Sequence, residues 1–476
     1  IADDLTGYVK TSTPSGEIQS GAAVELTTAT EGAKIFVSKD AGETYSEYNG
    51  EKKLVVDTLP SKYLVYATKD GLQNSIIRTL KYTAGQCKAV KISPNGGGIK
   101  KDSEVALKTD TLGATIKYAI LDKKDDEVND EDWKVYTSPI KMDKLPCVIK
   151  AIAIQDGMED SAVKTLSFTE RTKDKYNIYF GQVHSHTNYS DGAGTCEEAF
   201  QHARNVKNLD FLAVTDHSNS LDNEGESDIT KNVDKNITEE WTSGHALAQK
   251  YSDDKFTCFY GYEMTWSNGL GHMNTFNTPG FQSRTQTDYK SYATALNNYY
   301  TTLEKVPESI SQFNHPGTTF GDFQDFAYYS KERDNLITMI EVGNGEGTVG
   351  SSGYFPSYEY YQRALDKGWH VAPTNNQDNH KGRWGDANTA RTTVLADENN
   401  ETNIYDAMRN YRVYASEDND LSIYYTLDDN VMGTILSKGD TGSTVHLKAD
   451  ISDPDATDKI GKVQVITNGG IVLDTA

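Results

Sequence analysis

The first 170 residues contain one sequence pattern twice. TPSGEIQSGAAVELTTATEGAKI, starting at Thr13, matches SPNGGGIKKDSEVALKTDTLGATI, starting at Ser93, and the endings KDGLQNS…TLKYT and QDGMEDS…TLSFT also match. The period is about 80 residues, which indicates a duplicated structural unit. Alternating apolar segments such as KLVVDTL and YLVYATK, separated by Gly, Pro and Asp, indicate strands with one buried face. We therefore predict two copies of a small β-sandwich, at residues 1–84 and 85–170.

After the polar linker RTKDKYN, apolar β-like runs alternate with helix-like stretches. The candidate strands are IYFGQVHSH, LDFLAVTDH, FTCFYGYEM, MNTFNT, SISQFNH, LITMIEV and HVAPTNNQD. One intervening stretch begins with a capping box formed by Thr195 and Glu198, which predicts a helix. Strand followed by helix, repeated, indicates a parallel α/β core, and seven strands favour a TIM-like barrel over an open sheet. We assign this unit to residues 171–416.

The last part of the chain returns to alternating β-like runs. These are LSIYYTL, TVHLKADI and KVQVITNGG, and they predict a further all-β domain at residues 417–476. About 60 residues are few for a complete sandwich, so we expect this domain to be incomplete and the native chain to continue beyond Ala476.

Histidines and carboxylates lie at the ends of the predicted central strands, in HSHTNYSDG, AVTDH, GYEM, LGHMN, FNHPG and QDNH. In a barrel, the carboxyl ends of the parallel strands share one face, and barrel enzymes build their active sites there. That face would then hold these candidate metal ligands: His184, His186, Asp191, His217, Glu263, His272, His315, Asp378 and His380.

The spacing of these residues favours metal binding. His184 and His186 are two apart on an extended chain, so both side chains point the same way and can bind one ion. Asp378 and His380 repeat that spacing. Glu263 follows the apolar run FTCFYGY, where an ionised carboxylate is costly to bury unless a cation neutralises it. The remaining histidines are interpreted as structural: His202, His245, His370 and His446.

HSHTNYSDG followed by AVTDH, a later strand-end Glu, NHP and DxH resembles the polymerase and histidinol phosphatase (PHP) superfamily, over about residues 176 to 400. The resemblance implies a distorted (β/α)7 TIM-like barrel, two or three divalent metal ions and, in most members, phosphoester hydrolysis. The N-terminal repeats resemble the fibronectin/immunoglobulin-like modules that accompany chitobiase-type and other secreted bacterial hydrolases. The expected architecture is a multidomain chain in which small all-β Ig/FnIII-like domains flank the barrel.

Carried over to this chain, the resemblance implies three ligand groups. The first is His184, His186, Glu263 and Asp378, with Glu263 bridging; the second is Glu263, His272 and His315; the third is Asp191, His217 and His380. Asp216 is expected to support a ligand, because adjacent side chains on a strand face opposite ways. Arg383 either binds a substrate phosphate through two of its donors or is a solvated loop arginine. Zinc, manganese and iron all suit such ligands.

The predicted chemistry needs no protein nucleophile. Paired metal ions lower the pKa of a shared water, and the resulting metal-bridging hydroxide attacks while the ions hold the substrate oxygens. The sequence has no GxSxG motif and no cysteine in a catalytic context. Glu263, Asp216 and Arg383 are therefore the candidate catalytic residues besides the metal ligands.

Three functions remain open. The preferred hypothesis is a metal-dependent phosphoesterase acting on phosphomonoesters or phosphodiesters. A metal-dependent esterase or carbamate hydrolase is the second, since the same hydroxide attacks carbonyl groups. The third is a non-catalytic surface protein that binds a glycan and keeps a structural metal site. In the first case the β-modules would act as spacers or bind a glycan or cell wall.

Charge and composition limit the partners and the location. The formal net charge is −23, from 70 acidic and 47 basic residues, and it repels nucleic-acid backbones. No apolar run approaches the roughly 18 residues of a membrane span. The sequence contains no secretory signal, and a start at IADDLTG without methionine is what we expect of a mature, processed or recloned protein. The tyrosine count of 29 and the tandem β-modules favour a secreted or cell-surface protein of bacterial type. Cys87 and Cys147 either pair or remain buried thiols.

Overall fold

The computed structural model describes residues 5–221, 227–231, 238–437, 439–440, 442 and 444–476. Residues 5–84, called repeat A, are all-β. The strands are β1 (Val9–Thr11), β2 (Gly16–Ile18), β3 (Ala22–Val24), β4 (Leu26–Thr28), β5 (Lys34–Ser38), β6 (Ser46–Glu47), β7 (Leu54–Val56), β8 (Ser61–Thr68) and β9 (Arg78–Ala84). One sheet has the order β2-β9-β8-β5-β6, and the pairs β1-β4 and β3-β7 complete the unit.

Residues 85–170, called repeat B, are also all-β. The strands are β10 (Lys91–Ser93), β11 (Gly97–Ile99), β12 (Glu104–Lys108), β13 (Thr115–Leu121), β14 (Lys134–Val135), β15 (Ile140–Lys141), β16 (Cys147–Ile154) and β17 (Lys164–Glu170), with a 3-10 helix at Asp130–Asp132. The main sheet, β11-β17-β16-β13-β14, has the same order as that of repeat A. Each repeat has its own apolar core, and Cys87 and Cys147 are free, buried thiols.

Residues 171–416, called the central region, mix strands and helices. The strands are β18 (Asn177–Gln182), β19 (Phe211–Val214), β20 (Thr257–Tyr260), β21 (Tyr262–Thr265), β22 (His272–Phe276), β23 (Ile310–Asn314), β24 (Ile337–Asn344), β25 (Phe355–Pro356), β26 (Ala372–Asn376), β27 (Arg391–Ala396) and β28 (Val413–Ser416). The helices are α1 (Cys196–Ala203), α2 (Ser218–Leu221), α3 (Glu239–Tyr251), α4 (Ala295–Leu303), α5 (Phe323–Phe326), α6 (Lys331–Asp334), α7 (Tyr358–Asp366) and α8 (Glu401–Arg409), with a 3-10 helix at Thr287–Tyr289.

The central strands form two sheets. One has the order β20-β19-β18-β27-β28, and the other has the order β21-β22-β23-β24-β25 with β26 also beside β24. Four pairs are parallel: β18-β19, β19-β20, β23-β24 and β24-β26. Isolated parallel bridges, Ser185 to Asn379 and His217 to Glu263, connect strand ends. The strand ends that carry the candidate ligands therefore lie together.

The multidomain architecture, with an all-β N-terminal part before an α/β region, is confirmed. A barrel of seven regular (β/α) units is not confirmed, because β22 directly follows β21 and pairs antiparallel with both β21 and β23. The connection between β21 and β22, residues 266–271, is too short for a crossover helix. Gly269 and Gly271 in this connection have positive φ values of 81° and 125°, which suit a tight turn.

The core of the central region lies on both faces of the strands. Every residue of β19, β20, β21, β22 and β23 is buried, although β21, β22 and β23 also contain polar residues. Phe211, Phe259, Phe276 and Met339 pack together in one cluster. A second cluster joins the strands to helices α1, α3, α4 and α7 through residues such as Trp241. These packed layers hold the strand ends in fixed positions.

Repeat B packs directly against the central region. Lys164 is buried and its Nζ donates to the carbonyl of Pro307, while the Thr165 N–H donates to Glu308 Oε1 at 2.7 Å. A Cβ atom at Gly98 would lie 1.9 Å from Asp397 Oδ2, so the close approach of β11 requires glycine there. Repeat A contacts repeat B, where the N–H of Ser20 donates to the carbonyl of Gly157 at 3.0 Å.

The C-terminal region, residues 417–476, consists of a few β-strands. Its strands are β29 (Ser422–Leu427), β30 (Asn430–Val431), β31 (Leu447–Ser452), β32 (Gln464–Thr467) and β33 (Ile471–Thr475), with a 3-10 helix at Asn468–Gly470. They form the sheet β30-β29-β31 and the hairpin β32-β33. All residues of β33 are exposed. None of the helices that the structure describes combines the length and apolar character of a membrane span.

The interface between repeat B and the central region makes stability depend on pH. Burial, together with nearby Arg409, lowers the pKa of Lys164 to about 7, against about 10.4 in an unfolded chain. Between these values the unfolded chain binds the proton and the folded chain releases it, so this lysine makes stability rise with pH, by at most about 1.4 kcal/mol per pH unit. We expect the Tm of wild type minus that of Lys164→Met to increase from pH 7 to about 9.5.

Thermal unfolding across that pH range measures the effect. The matched control is Lys62→Met, at an exposed position in β8 of repeat A, and it should leave the pH dependence as in the wild type. A difference between wild type and Lys164→Met that stays constant with pH would contradict the buried, neutral form of this lysine.

Candidate metal centre

Two buried histidines directly follow β18. His184 Nε2 lies 3.2 Å from Glu263 Oε1 and 3.2 Å from Asp378 Oδ1. His186 Nε2 lies 3.0 Å from the same Asp378 oxygen and 3.2 Å from His184 Nε2. The alternation of an extended chain places both imidazoles on one side, while Ser185 between them bridges to Asn379.

The oxygen between these imidazoles fits a cation. Asp378 Oδ1 is buried and, among the described residues, accepts no hydrogen bond. Two imidazole nitrogens and this carboxylate oxygen point at a common space, and lone pairs that face one another repel unless a positive charge lies between them. His184, His186 and Asp378 therefore have the arrangement and chemistry of a metal-binding group.

Glu341 in β24 determines the orientation of the His184 imidazole. The carboxylate is fully buried and lies 2.9 Å from His184 Nδ1. It also accepts hydrogen bonds from the backbone N–H of His315 at 2.7 Å and from Nδ2 of Asn344 and Asn376 at 2.9 Å. A carboxylate oxygen accepts hydrogen bonds, so Glu341 orients the His184 ring through Nδ1, and Nε2 would be the ligand atom when an ion is bound.

Sequence reasoning missed Glu341. A signal was present, because Glu341 lies inside the apolar run LITMIEV, the same feature that singled out Glu263. The surrounding asparagines, Asn314, Asn344 and Asn376, were also missed, and a single asparagine at a strand end has no distinctive pattern. Only the folded structure shows that they bind carboxylates.

Glu263 lies at the middle of the cluster. Its Oε1 lies 3.4 Å from His272 Nδ1 and 3.4 Å from His315 Nε2, and its Oε2 lies 2.6 Å from His217 Nδ1. Asn314 Nδ2 donates to Oε1 at 2.8 Å. One buried carboxylate thus faces imidazoles from several different strand ends, which is the placement required of a bridging ligand.

A third group lies on the solvent side. Asp191 Oδ1 is 3.4 Å from His217 Nε2 and 3.2 Å from His380 Nε2, and His186 belongs to the same group. The side chain of Asp191 is 62% exposed and that of His380 is 30% exposed, whereas those of His184 and His186 are completely buried. A substrate can therefore approach the cluster from the side of Asp191.

The structure brings all nine predicted ligands together, in a slightly different grouping. His184 and His186 each take part in two groups: His184, His186 and Asp378; His184, Glu263 and His315; and His186, Asp191, His217 and His380. His272 faces Glu263 but lies outside these three groups. Which residue binds which ion stays a prediction.

The charges of the cluster favour cations. Burial alone would raise the pKa of Glu263, but His184, His272 and His217 hold it well below its usual range. Burial and the nearby His217 lower the pKa of His186 to about 4. Glu263 is thus ionised and His186 is neutral near pH 7, as metal ligands must be. Despite the burial of both imidazoles, the nearby carboxylates raise the pKa of His217 to about 10 and that of His380 to about 9, so these two imidazoles would release a proton when a cation binds.

Asp216, predicted to support a ligand, lies under the loop after His186. Its carboxylate accepts hydrogen bonds from Thr187 N at 2.7 Å, Thr187 Oγ1 at 2.8 Å and Ser190 Oγ at 2.6 Å. Ser190 Oγ in turn lies 3.3 Å from His186 Nδ1. The supporting role of Asp216 stays a prediction, and it would act through this loop.

Arg383, the predicted phosphate-binding residue, does not contact the cluster in the described part of the chain. Its Nε lies 3.2 Å from Asp386 Oδ1 and one terminal nitrogen donates to the Asp386 carbonyl at 2.6 Å. The side chain is 58% exposed. Arg383 would have to leave Asp386 to bind a phosphate.

Comparison with known families identifies the central region. The model of the PHP domain family matches residues 182–374. This chain contains a PHP domain. The resemblance that the histidine motifs indicated is therefore confirmed. Seven of the nine candidate ligands lie in the matched residues, and Asp378 and His380 follow shortly after them. No curated protein sequence matches the chain.

Several solved structures are similar to parts of this chain. A two-domain protein from Bacteroides vulgatus containing a predicted PHP-like metal-dependent phosphoesterase is 21% identical, with 52% of this chain and 67% of that chain covered and a TM-score of 0.35. A lesion-specific endonuclease from Pyrococcus furiosus is 13% identical, with coverages of 50% and 58% and a TM-score of 0.30. Fibronectin(III)-like modules of Clostridium thermocellum CbhA are 12% identical, with coverages of 34% and 94% and a TM-score of 0.16.

Glu341 should control metal affinity without binding metal. We expect Glu341→Gln to weaken binding of the tightest ion about 10- to 100-fold, because a neutral amide orients the His184 ring through Nδ1 less strongly than a carboxylate does. Competition titration with a chromogenic chelator measures this affinity. Glu304→Gln, a glutamate paired with Arg333 outside the cluster, is the control and should bind as the wild type does. Unchanged affinity in Glu341→Gln would refute the positioning role.

Gly192 should control the third ligand group. A Cβ atom there would lie 2.5 Å from the carbonyl carbon of His186 and 2.7 Å from the nitrogen of Thr187. Because these are backbone atoms, we expect Gly192→Ala to displace the loop that carries Asp191 and to reduce the affinity of one ion by about tenfold. The metal content of the variant after dialysis measures this loss. The control is Gly50→Ala, where an added Cβ atom would have no atom within 4 Å apart from those of its chain neighbours. Equal metal content in the two variants would contradict it.

Proposed function

We propose that this protein is a metal-dependent phosphoesterase that hydrolyses phosphomonoesters or phosphodiesters of modest size. The observation that carries the proposal is the convergence of imidazoles and carboxylates around the orphaned Asp378 oxygen in a PHP domain. A cluster of this composition, reachable from one side, suits hydrolysis assisted by two or three Zn, Mn or Fe ions.

Some residues of the cluster hold the ions, and others leave the site open to a substrate. When bound, the ions would lower the pKa of a bound water and place positive charge beside the substrate oxygens. Glu263 holds the middle of the cluster, and His184, oriented by Glu341, holds the buried end. Asp191 and His380 close the solvent side, where their partial exposure leaves room for an incoming substrate.

The rim of the site presents few unpaired charges. Lys381 pairs with Glu346 and Arg383 with Asp386, so in the described part of the chain both nearby cations are already neutralised. Phe320 is 44% exposed, and its ring centre lies 4.6 Å from that of His315. We infer that the ions provide the main attraction for a phosphate and that Phe320 contacts the organic part of the substrate.

We further propose that the protein acts outside a bacterial cell or on its surface, with repeats A and B as spacers or as modules that bind a glycan or cell wall. The strongly acidic charge argues against a nucleic-acid substrate. The docking of repeat B on the PHP domain supports a spacer role, because a rigid module holds the active site at a fixed distance from its attachment point.

The test combines metal content with a substrate panel. Protein purified without chelator should contain two or three ions per chain and hydrolyse nitrophenyl phosphates or phosphodiesters. Asp378→Asn should lower kcat/KM by about 100-fold or more, because it removes a ligand of the buried group. Chelator treatment should abolish activity, and Zn, Mn or Fe should restore it.

His370→Ala is the matched control, because His370 binds Asp334 outside the cluster and should retain activity. Hydrolysis of carboxylic esters or carbamates without hydrolysis of phosphoesters would indicate a metal-dependent esterase or carbamate hydrolase instead. A chain with less than about one metal ion and no hydrolysis would exclude an enzyme.

A further inference from the structure

A second group of carboxylates lies where the PHP domain meets the C-terminal region. Asp418 and Asp420 follow β28, and Asp453, Asp455 and Asp458 follow β31. Oxygens of Asp418, Asp453 and Asp458 lie within 4.8 Å of one another, and so do oxygens of Asp420, Asp453 and Asp455. Two segments about 30 residues apart in sequence thus contribute to one cluster.

The buried Arg391 acts electrostatically on Asp418 and Asp420 without forming an ion pair with either. In residues 5–221, 227–231, 238–437, 439–440, 442 and 444–476, no lysine or arginine forms an ion pair with any of the five. Burial and the adjacent Asp418 carboxylate raise the pKa of Asp420, which reflects the repulsion within the cluster. Several carboxylates this close repel one another unless something positive lies between them.

Asp420 provides an independent indication of a ligand. The residue is 9% exposed, and its Oδ2 accepts a hydrogen bond from Asn208 Nδ2 at 2.7 Å. Its Oδ1 is buried and has no hydrogen-bond partner among the described residues. A buried carboxylate oxygen without a donor is costly, and the cost disappears if the oxygen binds a cation.

The donor set selects the kind of cation. Only carboxylate oxygens converge here, whereas the PHP cluster is rich in imidazole. Hard divalent cations prefer oxygen, and calcium accepts six to eight oxygen ligands in irregular geometry. Zinc and iron favour nitrogen or sulfur, and magnesium demands a regular octahedron with several waters.

We propose that these five aspartates, all in the C-terminal region, form a calcium site beside the end of β28, the last strand of the central region. The ion would bind Asp418 and Asp420 from one side and Asp453, Asp455 and Asp458 from the other. Asn208, which lies after α1 of the PHP domain, orients Asp420 through its hydrogen bond. Calcium would therefore fix the position of β31 relative to β28.

The experiment titrates calcium into full-length protein whose PHP cluster is already loaded with zinc. Calorimetry should show binding in the wild type, and Asp453→Asn, which alters the residue shared by both groups, should bind at least about tenfold more weakly. Asp474→Asn, an acid in the exposed β33, is the control and should bind as the wild type does.

Two further measurements separate this site from the PHP centre. Calcium should slow tryptic cleavage at Lys448 and Lys459 in the wild type but not in Asp453→Asn, as followed by mass spectrometry. Asp378→Asn should still bind calcium, whereas Asp453→Asn should still hydrolyse phosphoesters if the proposed activity is present. Circular dichroism tests whether each variant is folded. If Asp453→Asn is unfolded, Asp420→Asn is used in its place.

The proposal is overturned if the wild type does not bind calcium, if Asp453→Asn binds it with the wild-type affinity, or if calcium protects both proteins equally from trypsin. It is also overturned if magnesium binds as tightly as calcium, since that would indicate a merely acidic surface.

Discussion

The need to neutralise buried carboxylates governs the PHP domain. Glu263, Glu341 and Asp378 all lie at or near strand ends where water is largely excluded, and each is surrounded by imidazoles or amides. An ionised group in such surroundings is stable only beside opposite charge or donors. The strands, their packing and the glycine turns can be understood as a frame that brings those partners to the carboxylates from distant parts of the sequence.

Much of this frame could be predicted from the sequence. Each of the seven runs proposed as strands contains a strand, and FTCFYGYEM contains two, β20 and β21, in different sheets. The duplicated N-terminal pattern corresponds to two sheets of the same order. Period-two apolar patterns indicate buried faces, and the HSH spacing indicates that His184 and His186 share a face. The DxH spacing does not work in this way, because Asp378 has a φ of 48° and belongs to a different ligand group from His380. The nine candidate ligands converge although they come from motifs scattered between His184 and His380.

The remainder depends on information that local patterns do not carry. The direction of β22 follows from the short, glycine-containing connection after β21, and seven runs of strand type do not distinguish a hairpin from a crossover. Glu341 was missed because its role depends on His184, more than 150 positions away in the chain. Arg383 was proposed from its position in sequence, whereas its contact with Asp386 depends on the loop conformation.

The close contact at Gly98 has a consequence for the duplicated modules. The corresponding strand of repeat A, β2, has Glu17 before the shared isoleucine, where β11 has Gly98 before Ile99. A carboxylate at this point would meet the half-buried Asp397 of the central region, both sterically and as a like charge. The two modules are therefore not interchangeable, because repeat A carries a side chain where repeat B must have none to pack here.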